Sequence, residues 1–127
     1  MKKLFIWLLP LLALSVQAQE PDGSRERLNR VAGEWVAQHR KADYPRYGAD
    51  DFREVAANLI ACQNPDGGWP KNLDWMTREC PDSVLARIDA KHRRSTLDNR
   101  NVYPQLEFLS AVWELTGDEA CLRAARG

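Results

Sequence analysis

The chain has 127 residues, with 18 basic and 18 acidic side chains and two histidines, so it is formally neutral. That length allows one modest domain, and the charge balance gives no general attraction for the phosphates of a nucleic acid. With 44% apolar residues, wholesale disorder is excluded as well.

The first stretch, MKKLFIWLLPLLALSVQA (1–18), places Lys2 and Lys3 ahead of an apolar run from Leu4 to Val16 that Pro10 interrupts. Val16, Gln17 and Ala18 offer small residues at the cleavage positions. The pattern reads as a secretory signal peptide cut after Ala18, so the mature chain is expected to be secreted or periplasmic. The apolar run is short for a bilayer span, and no later stretch is apolar enough, so no membrane association is expected after cleavage. Residues 19–24 read as a loose polar leader and residues 25–127 as the domain. Its cysteines are Cys62, Cys80 and Cys121, an odd count for an exported chain. A bridge between Cys62 and Cys80 would staple the loop they flank. Three thiols are the alternative, and the spacing fits no zinc pattern.

Helical spacing of Leu28, Val31, Ala32, Trp35 and Val36 predicts an amphipathic helix over 25–42. Pro45 and Gly48 break it, and Asp50 is placed to cap a second helix carrying Phe52, Val55, Ala56, Leu59 and Ile60. After the polar run 63–72 the chain is irregular or briefly helical to Cys80. Pro81 and Asp82 can start a short helix running to Arg93, with Val84, Leu85 and Ile88 inward. A polar loop at 95–101 leads to a helix with Pro104 in its first turn. Two overlapping apolar stripes there, Leu106, Leu109, Trp113 and Phe108, Val112, Leu115, predict burial on most sides. Thr116 and Gly117 end it, and Asp118 opens a last helix with Ala120, Ala124 and Ala125 on one face. No segment alternates with period two, so the expected fold class is all-α, built of helical hairpins. The stripe that stops at Gly127 reads as the front of a longer protein.

Chemistry is concentrated in two places. In NPDGGWPKNLD (64–74), Asp66-Gly67 reads as a turn, Trp69 as a plug and Pro70 as the way out of a helix–helix corner. Lys71, Asn72 and Asp74 lie beyond what a corner needs, and a rigid corner is a good mount for binding groups. In STLDN (95–99), Asp98 and Asn99 pair a carboxylate with an amide ahead of the buried helix. One of them can serve as an N-cap, and the pair can also serve a hard cation or a sugar. The run KHRR (91–94) reads first as a solvated face and second as a contact for a polyanion.

Taken together, DGGWPKNLD, STLDN and PQLEFLSAVWELTGDEACLRAARG resemble the pectate lyases of polysaccharide lyase family 10 from about Val55 to Gly127. The resemblance implies an α/α toroid that cleaves polygalacturonate by β-elimination with calcium, monomeric at full length. It implies Asp98 as a catalytic or calcium-site carboxylate, Asn99 as its neighbour in that site, and Lys71 and Asn72 as the groups that grip a uronate. The sequence departs from the family at Arg100 to Tyr103, where small residues and threonines are usual. No arginine here matches the family's catalytic one, which lies downstream of the T-x-D-N element, so an inactive fragment is expected. QNPDGGW also resembles the corner motif of triterpene cyclases, another toroid, although no Asp-rich proton-donating motif accompanies it. A truncated, non-catalytic carbohydrate-binding product is the third reading.

Overall fold

Trp35, Trp75 and Phe108 come from three distant parts of the chain and meet at the centre of the fold. The Trp35 and Trp75 rings lie 4.9 Å apart and the Trp75 and Phe108 rings 5.2 Å apart, tilted as aromatic pairs prefer. The computed structural model describes residues 23–41, 44–79, 81–98 and 101–127. The signal peptide and most of the leader, Cys80 with the bridge suggested for it, and Asn99 and Arg100 lie outside the described residues.

Among the described residues there are five α-helices, with 3₁₀ turns between them, and no strand. Helix α1 spans Ser24–Gln38 and α2 Phe52–Cys62, the latter led in by a 3₁₀ turn at Ala49–Asp51. Helix α3 is Pro81–Ala86, followed by a 3₁₀ turn at Ala90–His92. Helix α4 is Tyr103–Thr116 and α5 is Glu119–Arg126. The all-α expectation therefore holds for the described residues. Helix α4 is central: it packs on α1, α2 and α5. That placement follows from its two apolar stripes, of which Phe108, Leu109 and Val112 are buried and Leu106, Trp113 and Leu115 pack against the core.

The helix limits differ from expectation at five places. Ser24 belongs to α1 rather than to the leader, and its buried hydroxyl donates to Glu114 at 2.5 Å. Arg27 pairs with the same carboxylate, fixing α1 against α4. At the other end α1 stops at Gln38, where His39 leaves helical geometry and stacks on Trp35. Asp50 is not the cap of α2; Asp51 takes that position, its carboxylate accepting from the Gly48 N–H at 2.9 Å. The helix expected to run to Arg93 breaks after Ala86, because Asp89 turns extended and caps the 3₁₀ turn by accepting from the Lys91 N–H. At α4 neither carboxylate nor amide of STLDN is the N-cap. Val102 is, at φ 76° and ψ −55°. A β-branched residue there is strained, at a cost on the order of 1–3 kcal/mol that its surroundings must hold in place.

Gly117 ends α4 in left-handed geometry, its N–H bonded to the Trp113 carbonyl at 2.7 Å, and Asp118 caps α5 through the Ala120 N–H at 2.9 Å. Both follow the sequence reading.

Candidate functional site

The corner at 63–70 is tied down at both ends. Gln63 Nε2 donates to the Gly67 carbonyl and to the Ala124 carbonyl, 2.8 Å each, so one amide closes the turn and caps the C-terminal end of α5. Gly67 sits at φ 85°, and a β-carbon there would fall 2.7 Å from the Gly127 backbone. Only glycine fits both constraints. Trp69 is fully buried and its indole N–H donates to the Leu59 carbonyl at 2.8 Å, so it is the plug of the corner and not a platform for a sugar.

Beyond the corner, the two polar motifs come together. Residues 68–70 run antiparallel beside 95–96, through a bridge between Pro70 and Ser95 and a bond from the Thr96 N–H to the Trp69 carbonyl at 3.3 Å. The approach is close: a β-carbon on Gly68 would lie 2.6 Å from that of Ser95. Ser95 donates to Asp66 at 2.5 Å, and Asn64 Nδ2 donates to Ser95 and to the Arg93 carbonyl. The Ser95 hydroxyl and the Gly68 N–H hold the Asp66 carboxyl below its ordinary range.

The residue that completes this clamp was not singled out in the sequence. Asn101 is buried; its Nδ2 donates to the Trp69 carbonyl at 2.7 Å and the Thr96 carbonyl at 2.8 Å, and its Oδ1 accepts from Gln105 at 2.7 Å. It joins both motifs to α4 and sits next to strained Val102. Only its position, one turn before a glutamine on a buried helix, hinted at this.

Lys71 and Asn72 then turn outward. Asn72 takes a left-handed conformation, φ 63°, which asparagine tolerates better than most residues. Lys71 Nζ meets Asp98 Oδ2 at 3.0 Å, joining one candidate from each motif at the rim of a cleft. Asp98 is 67% exposed at its side chain, and Asn72 is exposed. Asn99 lies outside the described residues.

Asp74 behaves differently from the neighbours it was grouped with. It is buried and accepts from Trp35 Nε1 at 3.1 Å, Tyr44 Oη at 2.5 Å, Arg46 Nε at 2.8 Å and the Met76 N–H at 3.0 Å. Burial pushes its carboxyl up, but the bonds from Tyr44, Arg46 and Trp35 outweigh that and hold it below its ordinary range. Burial together with Asp74 raises the Tyr44 phenol to about 12. Asp74 is therefore a structural anchor for 73–77, a run whose side chains are all buried.

The cleft below Lys71 has a volume of about 400 Å³. Its second wall is Arg87 and His92, from the end of α3 and the 3₁₀ turn after it, and Val84 and Ile88 contribute apolar surface. The KHRR run is exposed throughout, as the first reading of it expected. Among the described residues no three His, Cys, Asp or Glu side chains come together. Asp98 brings one carboxylate, already paired with Lys71, whereas calcium takes about 6–8 oxygens. The described donors do not by themselves complete a calcium shell.

Comparison with protein-family models, with curated proteins and with solved structures finds no match to this chain.

Proposed function

We propose that the rim formed by Lys71, Asn72 and Asp98 grips the uronate units of polygalacturonate, as one part of a pectate-lyase site. The observation that carries this reading is the meeting of Lys71 with Asp98 at 3.0 Å, because it brings the two chemically suggestive motifs onto one ledge above a cleft. In β-elimination the C5 proton is removed, the C4–C5 double bond forms and the C4 glycosidic oxygen departs with a proton. Charge builds on the carboxylate next to C5, and an ammonium against that carboxylate stabilises it. Lys71 has that role here, with Asn72 adding a hydrogen bond to the same sugar. Asp98 holds the ammonium over the cleft until a ligand carboxylate takes its place. None of the described residues is given the role of base.

The same proposal includes calcium as a cofactor, bound with Asp98 among its ligands and with the rest of its shell supplied from outside the described residues. It also includes an α/α toroid made by pairing the helical hairpins, and export to the periplasm or outside the cell. The Gln63 tie between the corner and α5 supports a toroid without choosing between the lyase and cyclase readings. The described part has no helix long and apolar enough to cross a membrane.

The test is retention of the full chain on immobilised polygalacturonate with and without calcium, because a chain expected to be inactive by itself can still show its grip on the polymer. Retention that disappears in Lys71→Ala supports the reading. No retention in either calcium condition, or retention unchanged in Lys71→Ala, from chain shown to be folded, overturns it.

A further inference from the structure

The lyase reading uses only one side of the cleft. The opposite wall carries Arg87, which no sequence motif marked, and His92, which lies in the KHRR run. We infer that Arg87 and His92 form a second anion-binding wall, so that the cleft takes an acidic oligosaccharide with a uronate carboxylate facing that wall. This rests on the proposed ligand class, a uronate chain, and not on turnover.

The charges in the cleft decide the sign of the ligand. Two carboxylates line it: buried Asp74 is fully used by its own protein, and exposed Asp89 caps the 3₁₀ turn and pairs with Lys91 at the surface. Asp74 accepts from three side-chain donors and the Met76 N–H. Asp89 accepts from the Lys91 N–H at 3.3 Å and pairs with Lys91 Nζ at 3.6 Å. The two cations are bound more loosely than Asp74, in surface pairs like that of Asp89. Lys71 has the exposed Asp98, and Arg87 pairs with Glu79 while its own side chain stays 55% exposed. Surface pairs of this kind contribute little and exchange readily with an incoming carboxylate. A guanidinium also has five N–H donors. In Arg87, Nε is bonded to the Ser83 carbonyl at 3.4 Å and the Glu79 contact is made through one terminal nitrogen. The fork retains donors for a second, planar acceptor, the geometry in which arginine exceeds lysine.

The remaining lining suits a sugar. Val84 and Ile88 present apolar surface for the C–H face of a pyranose ring, and Asn72 and His92 flank it with groups that bond hydroxyls. The Arg87 guanidinium lies 5.9 Å from the Tyr44 ring centroid, which helps hold it at the cleft wall. At about 400 Å³ the space falls within the range of roughly 300–1,000 Å³ usual for small-ligand sites.

The experiment is calorimetric titration of the full chain with digalacturonate, its methyl ester and neutral galactobiose. Digalacturonate is expected to bind, and loss of its charge in the ester or in galactobiose to weaken binding about tenfold or more. Arg87→Ala is expected to cause a similar loss, His92→Ala a smaller one, and Arg87→Lys to recover part of the affinity because it keeps the charge and loses the fork. Thermal unfolding of each variant separates lost binding from lost folding. If Arg87→Ala misfolds, the comparison of Arg87→Lys with the natural chain decides, and equal affinity there overturns the inference. Unchanged affinity in a folded Arg87→Ala, equal binding of galactobiose, or no binding of digalacturonate also overturns it. Lys71-dependent retention on polygalacturonate with unchanged Arg87→Ala binding leaves the proposed function standing alone. Arg87-dependent binding that Lys71→Ala leaves unchanged overturns the Lys71 ledge and leaves this inference.

Discussion

Asp74, just past the corner, and Asp98, in STLDN, show how differently one fold treats two carboxylates. Asp74 is buried and accepts four hydrogen bonds, whereas Asp98 is two-thirds exposed and its carboxylate is held by one lysine. Burial forces complete satisfaction, because a stranded charge in the interior is costly. Exposure leaves the second carboxylate open to exchange. A side chain fully used by its own protein is architecture, and one loosely held at a cleft is available to a ligand.

The largest test of that contrast is Asp74→Ala. It strands Arg46 and removes the acceptor of Tyr44 and Trp35, and it is expected to cost about 3–5 kcal/mol in denaturant unfolding. A loss below about 1 kcal/mol would place Asp74 in the same class as Asp98. Next is Asn101→Ala, which leaves the Thr96 carbonyl and the Gln105 side-chain amide without their partner and the Trp69 carbonyl with only the Thr96 N–H. A loss of about 1–3 kcal/mol is expected, together with faster hydrogen exchange at the Thr96 N–H that crosses between the motifs. Exchange that does not change would show that the backbone pairing holds without the clamp.

The pH limits follow from the same network. The Tyr44 phenol is raised in the folded state, from an ordinary 10.0 to about 12. Its contribution is therefore fully present below 10.0 and is lost as pH rises towards 12. Asp74 is shifted the other way, so its contribution is present above the ordinary carboxylate value and is lost as pH falls through the lowered one. Tyr44→Phe is expected to flatten the alkaline limb of a stability profile and leave most of the acid limb in place. An unaltered alkaline limb would remove Tyr44 from the network. The smallest effect is that of Asp98→Ala, expected within about 0–1 kcal/mol of the natural chain. A larger cost would make the Lys71–Asp98 pair architecture as well.

Much of this was legible in sequence. Regular apolar spacing located α1, α2, α4 and α5, and the order Asp, Gly, Gly, Trp, Pro announced the corner. Trp69 as plug followed from the same pattern. What was not legible depends on partners far along the chain. Asp74 looked like a companion of Lys71 because both are polar and near in sequence, yet its donors come from Trp35, Tyr44 and Arg46. Asn101 looked like a departure from a family pattern and is the clamp between two motifs. Val102 as N-cap could not be foreseen, since local preference argues against a β-branched residue at positive φ and only tertiary contacts override it. Arg87 and His92 fell within a stretch read as continuous helix, and the break at Asp89 accompanies their placement on the cleft wall.

The central claim is that residues from the corner and from STLDN form one uronate-gripping ledge. Amide chemical-shift mapping of the full chain with trigalacturonate tests it most directly. The account predicts shifts gathered at Lys71, Asn72, Thr96 and Asp98 and across the cleft at Arg87 and His92, with α1 from Arg27 to Glu34 unmoved. Shifts that gather on α1, or none at saturating ligand, would contradict it.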